Sequence, residues 1–194
     1  MHLGHPCDPA LPGDAGFVNL CGGRTLCPVV TQEGGEPVIR PADAGDVPAL
    51  AILAERTWAE AFAWSVAPVE ADAEVAKTRS EAYFRDALQA DTILVAESGN
   101  TLVGYAQFGR VRIRELVGRT GAELHRVYVD AEFQNRGLGR RLVSAALRHP
   151  RMASSPCVYL QVWERNEGAV RFYERFGFRT VGRTSFTIGE GEVV

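Results

Sequence analysis

The stretch from Glu123 to Arg148 joins a strand pattern, a glycine-containing turn and a helix pattern without interruption. The strand pattern runs from Leu124 to Val129, where apolar and β-branched residues predominate. The turn Gln134–Gly139 follows it. Apolar residues then recur at helical spacing as far as Pro150: Leu138, Leu142, Ala145 and Ala146. A strand, a loop and a helix are therefore fixed in that order, and the rest of the chain has to pack around them.

The charges at the start of this helix are unusual. Arg136, Arg140 and Arg141 crowd the end where free backbone N–H groups already carry partial positive charge, which disfavours each cation by up to about 1 kcal/mol. A bound anion, held by amides that the glycines leave accessible, would account for this pattern. A glycine turn followed by solvated arginines accounts for it equally well, and this segment alone does not separate the two interpretations.

The identity of such an anion can be narrowed by elimination. A phosphate-binding P-loop requires GxxxxGK[ST], and this chain lacks both the lysine and the Ser/Thr at those positions. The dinucleotide fingerprint GxGxxG fails because Leu142 occupies the third glycine position. What remains is Gln-x-x-Gly-x-Gly between a strand and a helix.

The other patterns predict a single α/β domain with a mixed sheet. Residues 1–36 are rich in glycine and proline without a sustained period, and we expect a poorly ordered extension or an arm that covers a neighbouring molecule. The remaining predicted elements are a strand 37–40, a helix capped by Asp43 or Asp46, a helix 70–89, a hairpin 92–97 and 101–108, a strand 158–163, a helix capped by Asn166, and strands 178–181 and 185–188.

Composition excludes several classes of function. The net charge of −3 argues against generic nucleic-acid binding, which usually requires a basic surface. There is no apolar run long enough to cross a bilayer and no secretory signal pattern, so we expect a cytoplasmic protein with no membrane partner.

His2, His5 and Cys7 lack the paired spacing of a structural metal site, and no metal is expected. The cysteines show no disulfide-framework spacing, and Cys157 is expected to be buried.

Two motifs together carry a resemblance to a known family. LHRVYV precedes QNRGLG, and VWERNEGAVRFYERFGF follows later in the chain. This combination, with the order of elements from Val38 onwards, resembles the GNAT superfamily of N-acetyltransferases. The resemblance implies a catalytic domain over 37–194 and a mixed, mostly antiparallel twisted sheet with helices on both faces. It also implies that strands 124–129 and 158–163 splay apart at an acyl-CoA site.

The same resemblance implies residues that would bind acetyl-CoA as a co-substrate. Backbone groups of Val127, Tyr128 and Val129 would hold the pantetheine arm like an added strand. Asn166 would contact the cofactor from the second motif. Backbone amides of the loop and the first helical turn would hold the pyrophosphate: Gln134, Asn135, Arg136, Gly137, Leu138, Gly139 and Arg140.

Acetyl transfer to an amine imposes its own chemical requirements. An alkyl amine with a pKa of about 10.4 is mostly protonated at neutral pH, so the site needs a proton acceptor as well as a donor for the departing thiolate. Tyr173 suits the donor, and the family match favours this role over simple packing on the sheet. Glu123 is the candidate base, because some family members carry a general-base glutamate at this position. His125 or a water chain is its competitor, and an exposed strand-end carboxylate is the structural alternative.

The expected acceptor is a primary amine. The strings TWAEAF, ELHRVYVD and RFYERFGF look most similar to the polyamine branch of the family, which acetylates spermidine and spermine. Such cations require acidic side chains at the acceptor site. The candidates are Glu60, Glu70 and Glu123. A protein or peptide N-terminal acetyltransferase is the alternative within the same reaction class. A catalytically silent acyl-CoA-binding sensor is the alternative outside it. A homodimer is compatible with the sequence.

Overall fold

The structure is a computed structural model. It describes residues 17–22, 36–62, 68–184, 186–188 and 191–193, and it describes side chains for 36–61 and 72–184. The strands are β1 Phe17–Gly22, β2 Val38–Pro41, β3 Thr92–Ser98, β4 Thr101–Arg110, β5 Ala122–Val129, β6 Val158–Trp163, β7 Phe178–Thr184, β8 Phe186–Ile188 and β9 Gly191–Val193. The helices are α1 Val47–Phe62, α2 Pro68–Thr78, α3 Glu81–Ala90, α4 Leu138–Arg148, α5 Pro150–Ala153 and α6 Glu167–Glu174.

Seven strands form one sheet in the order β2-β3-β4-β5-β6-β1-β7. The β5–β6 pair is parallel and the other neighbours in this sheet are antiparallel. Strands β8 and β9 pair with each other as a separate hairpin. The predicted mixed, mostly antiparallel sheet is confirmed.

Helices cover both faces of the sheet, as predicted. On one face, Leu142 and Val143 of α4 pack with Phe108 and Leu160 in one buried apolar cluster. On the other face, α1 and α3 contribute to a second cluster that contains Leu50, Leu53, Phe84 and Tyr105. Removal of these side chains from water is the main force that holds the layers together.

The predicted splay between the two central strands is also present. β5 and β6 are in register only at Ala122 with Val158 and at Glu123 with Tyr159. Beyond Glu123 they separate, while the other edge of β5 stays paired with β4 as far as Val129. Among the described residues, the β6-facing edge of 124–129 therefore has no neighbouring strand.

Strand β1 was not predicted from the sequence. Phe17–Gly22 lies between β6 and β7 and pairs antiparallel with both. The sequence analysis assigned these residues to the extension 1–36, of which 1–16 and 23–35 lie outside the described residues. The strand has no local signal because its partners lie far along the chain, and such pairing depends on tertiary context.

The single helix predicted over 70–89 is wrong, because the chain forms two helices there. α2 ends at Thr78 and α3 begins at Glu81. Ser80 caps α3, since its hydroxyl accepts a hydrogen bond from the backbone N–H of Tyr83 at 3.2 Å. The break sets Arg79 between the two helices, at the wall of a cavity that is described in the next subsection.

Cys157 is buried, as expected, and is disulfide-bonded. That bond was not predicted.

No helix within the described ranges is long and apolar enough to span a membrane.

Candidate active site

A cavity of about 990 Å³ lies at the splay between β5 and β6. Its walls come from β5, β6, α1, α6 and the loop before α4. Six of the side chains or segments predicted for the site lie along it: Glu123, Val127–Val129, Gln134, Gly139, Asn166 and Tyr173. Sequence motifs that are far apart in the chain therefore meet around one space.

The open edge of β5 forms one wall of this cavity. Val127, Tyr128 and Val129 use one backbone edge for β4, and none of the described strands covers the other. An elongated ligand that carries amide groups can pair with such an edge in the way that an added strand does. The Gln134 side chain donates a 2.9 Å hydrogen bond to the Val129 carbonyl, which ties the following loop to the end of this edge.

The N-terminus of α4 is open toward an anion. Gly137 is its N-cap, at φ 83°, and no side chain caps the first turn. The free N–H groups of an uncapped helix start, together with the helix dipole, favour an anion. No atom of the described residues lies within 4 Å of the position that a Gly137 Cβ would occupy. The residues present thus fit the pyrophosphate of a CoA molecule.

The three arginines near this helix start do not behave alike. Arg141 pairs with Glu36 at 3.1 Å and donates to the Pro37 carbonyl at 3.0 Å, so it ties α4 to the segment before β2. Arg136 and Arg140 are exposed and form no ion pair with the described carboxylates. Two of the three arginines are therefore free of a described carboxylate and could face an anion at this helix start. The Leu138 side chain is buried in the core, which leaves its backbone amide for the predicted contact.

We expect Gly137→Val to weaken acetyl-CoA binding by at least about 10-fold, as measured by titration calorimetry. A β-branched residue at this positive φ is strained, and its side chain occupies the approach to the amides. Gly118→Val is the matched control, because Gly118 has φ 89°, equally open space and no place at the cavity. Both variants should lower the melting temperature, and only the first should lower affinity. Equal affinities would contradict an amide-lined anion site.

Asn166 confirms its predicted role as a helix cap. Its side-chain oxygen accepts a 3.0 Å hydrogen bond from the Ala169 amide at the start of α6. It also lines the cavity beside Gly168 and Ala169. The cap sets the direction of α6, and with it the position of Tyr173 about two turns further on.

Tyr173 is held by aromatic packing. Its ring contacts Phe172 and Phe178 edge to face, with ring centroids 5.1 Å and 5.8 Å apart. Burial, and to a smaller extent the nearby Tyr128, raises the pKa of the Tyr173 phenol above its ordinary value near 10. The phenol is therefore protonated throughout the physiological range and can act as a proton donor at the cavity wall.

Glu123 is buried rather than exposed at a strand end. Its Oε2 accepts from the backbone amides of Arg112 and Ile113, at 2.5 Å and 3.0 Å. Its Oε1 lies 3.2 Å from Nδ1 of His125. The structural alternative from the sequence is thus wrong, and the carboxylate forms a pair with His125 at the point where the strands separate.

A polar network continues behind this pair. Nε2 of His125 is buried without a hydrogen-bond partner among the described residues, and lies 3.7 Å from Oδ1 of Asp91. Asp91 accepts from Arg112 at 2.8 Å and from Gln107 at 2.6 Å. Gln107 in turn contacts the Tyr83 hydroxyl. A hydrogen bond from Nδ1 to Glu123 would leave Nε2 of His125 as a proton acceptor.

Sequence reasoning missed two arginines that line the cavity. Arg79 and Arg126 both line it, and each stacks on an aromatic ring at 4.7 Å, Trp58 and Tyr83 respectively. For Arg126, the signal available in the sequence was its position as a charged residue inside the apolar run LHRVYV. Of the acids expected there, Glu60 is exposed at the cavity and Glu123 is engaged as above, while the Glu70 side chain lies outside the described side chains.

Within the described part of the chain, no group of three or more potential metal ligands comes together.

Comparison with known proteins identifies the relatives of this chain. Residues 53–178 match the model of the acetyltransferase (GNAT) family. The solved structure of the PaiA N-acetyltransferase from Thermoplasma acidophilum, in complex with coenzyme A, is similar with a TM-score of 0.59 at 16% identity. That similarity covers 80% of this chain and 94% of the other, and it concerns the fold.

Two curated relatives differ in the acceptor that their names state. The N-alpha-acetyltransferase RimI of Mycobacterium tuberculosis is 41% identical over 90 residues, which is 45% of this chain and 51% of that protein. The spermine/spermidine N(1)-acetyltransferase of Bacillus subtilis is 32% identical over 87 residues, which is 44% of this chain and 57% of that protein. The chain thus spans about half the length of these relatives.

Proposed function

The chain belongs to the acetyltransferase (GNAT) family, and from that premise we propose that it transfers the acetyl group of acetyl-CoA to a primary amine. One observation carries the proposal. A single cavity is bordered by the β6-facing edge of Val127–Val129, which pairs with no strand among the described residues, by the uncapped start of α4 and by the half-buried Tyr173 phenol. The first two features suit the amide-bearing arm and the pyrophosphate of CoA, and the third suits a departing thiolate.

Acetyl-CoA supplies an activated thioester, and backbone groups of this chain hold it. Val127, Tyr128 and Val129 pair with the pantetheine amides. Amides from Gln134 to Arg140 take the pyrophosphate, with the cations of Arg136 and Arg140 close to it. Asn166, which fixes the start of α6, contacts the cofactor from the opposite wall.

Glu123 removes the proton that prevents the amine from reacting. An ammonium has no lone pair, so the amine nitrogen can bond to the acetyl carbon only after it has lost a proton. The carboxylate takes this proton directly or through a water molecule. His125, bonded to Oε1, shares the charge and is the competing acceptor.

Tyr173 completes the proton balance. As the new N–C bond forms, the C–S bond breaks and its electron pair leaves on the sulfur. The phenol donates its proton to that thiolate. The newly acylated nitrogen still carries one proton more than an amide, and it passes that proton through solvent to the Tyr173 phenolate. Glu123 releases the proton that it took from the ammonium to solvent, so both groups are ready for the next turnover.

The acceptor can be a polyamine or a peptide N-terminus, since both present a primary amine. The name of the Bacillus subtilis relative supports the first, and the name of the Mycobacterium tuberculosis relative supports the second. A silent acyl-CoA-binding sensor is the remaining alternative. The placement of Glu123 and Tyr173 at one cavity argues against it, because binding alone requires neither group.

Release of free CoA thiol tests the proposal. Purified protein is incubated with acetyl-CoA and a panel of polyamines, amino acids and short peptides, and thiol is followed with a chromogenic disulfide. Amine-dependent release supports the transferase. Tight acetyl-CoA binding, with thiol release no faster with amine than without it, would support the sensor instead.

A further inference from the structure

Arg126 is a cation at the cavity without a carboxylate to neutralise it. It lies on the splayed part of β5 and is partly buried. One guanidinium nitrogen donates to the Thr78 carbonyl at 2.6 Å, and the group stacks on Tyr83. No described carboxylate forms an ion pair with it, whereas Arg79 and Arg112, on the same cavity, each have one. A buried charge that lacks a partner is costly unless a ligand supplies one.

Burial does not remove this charge. Desolvation by itself would lower the pKa of Arg126, but the surrounding tyrosines and Glu74 keep that pKa raised. The guanidinium is therefore positive at any pH at which the protein is folded. A planar guanidinium with free N–H groups matches the geometry of a carboxylate.

The carboxylates near Arg126 are already engaged. Glu74 accepts from Thr78 and pairs with Arg79, and Asp91 pairs with Arg112 and Gln107. Glu123 is bonded to two amides and to His125. Only the exposed Glu60 lines the cavity free of an ion pair within the described part of the chain. A polycation would thus meet engaged acids and an unneutralised arginine.

Arg79 is a second, independent sign of an anion. Its side chain is only 5% exposed and lines the cavity. Its Nε is buried and has no hydrogen-bond partner among the described residues. The ion pair with Glu74 is long, at 3.4 Å, and uses Nη1 alone. A single long ion pair neutralises the Arg79 charge only weakly, so an anion in the cavity would stabilise it further.

We propose that the acceptor is a small amine that also carries a carboxylate, such as an amino acid, and that Arg126 binds this carboxylate with Arg79 beside it. The inference rests on the proposed function, since it assumes that an amine is acetylated in this cavity. Glu123 and Arg126 pair with Gly109 and Gln107 of β4, with a bulge between them, so they are two pairing steps apart along the sheet, roughly 7 Å. A molecule of amino-acid size can therefore place its amine near Glu123 and its carboxylate near Arg126.

Matched acceptors test this inference through thiol release. Each amino acid is compared with the amine that remains when its carboxylate is removed, and polyamines form a third set. We expect the wild-type protein to favour the carboxylate form. Arg126→Gln should raise KM for that form by about 10- to 100-fold, leave kcat nearly unchanged and leave KM for the decarboxylated amines unchanged.

Two further variants make the result specific. Arg126→Lys, which keeps the charge but loses the planar fork, should restore part of the preference. Arg85→Gln, at an exposed arginine of α3 that pairs with Glu81, should change nothing. Melting temperatures show that each variant is folded. A wild-type preference for polyamines or decarboxylated amines, unaltered in Arg126→Gln, would overturn the inference while leaving the transferase intact. Absence of turnover with every amine would instead overturn the proposed function, and this inference with it.

Discussion

Tyr173→Phe should lower kcat by about 10²- to 10³-fold, which is the usual contribution of a positioned general acid. Phenylalanine keeps the ring, so the edge-to-face contacts with Phe172 and Phe178 remain. Acetyl-CoA affinity should change less than about 3-fold, because only a proton donor is lost and not a binding surface. Steady-state thiol release, combined with calorimetry, measures both quantities.

The pH dependence of the wild-type enzyme gives a second readout on the same phenol. Burial raises the pKa of Tyr173, so the protonated donor is present below that raised pKa and is lost only as the pH rises through it. We therefore expect no loss of kcat from this group up to about pH 10, the ordinary tyrosine value.

Tyr105→Phe is the matched control for the Tyr173→Phe substitution, since Tyr105 is buried with a raised pKa but does not line the cavity. If kcat is unchanged in Tyr173→Phe, Tyr173 has no part in the mechanism.

Glu123→Gln should reduce kcat/KM by about 10²-fold at pH 7. The amide oxygen of glutamine can still accept from the Arg112 and Ile113 backbones, so the fold around the site is kept. The loss should shrink as the pH approaches 10, because the free amine, with a pKa of about 10.4, then loses its proton to solvent. A pH profile of kcat/KM for both proteins measures the effect.

The control for this prediction is the neighbouring histidine. His125→Gln removes the partner of Oε1 but leaves the Glu123 carboxylate and its two amide donors in place. We expect a smaller loss than in Glu123→Gln, without the same recovery at high pH. The reverse order of the two effects would assign the proton acceptor to His125, and equal pH profiles for Glu123→Gln and the wild type would exclude Glu123.

Local and contiguous patterns account for the part of the fold that was predictable. The segment Glu123–Arg148 gives β5, its loop and α4, because alternation, glycine placement and helical spacing are written within one short stretch. The Asn166 cap of α6 was predictable for the same reason. The splay of β5 and β6 came from the resemblance, since no local pattern specifies where two strands separate.

Features that depend on distant partners were not predictable. β1 becomes a strand only because β6 and β7 lie on either side of it. The engagement of Glu123 arises from backbone amides at Arg112 and Ile113, which come from a connection with no motif. Arg79 reaches the cavity because Ser80 starts a new helix within a stretch that reads as one helix. The acidic acceptor slot expected from the resemblance thus has to be weighed against two arginines that only the tertiary structure brings together.

The acetyl-CoA thiol-release assay with a panel of primary amines is the most direct test of the central claim, that this cavity transfers acetyl groups to an amine. The account predicts thiol release that depends on the amine, saturates with it, and falls by about 10²-fold or more in Tyr173→Phe. A mass increase of one acetyl group on the amine should accompany it. Thiol release that is independent of every amine, in a protein that binds acetyl-CoA tightly, would contradict the claim.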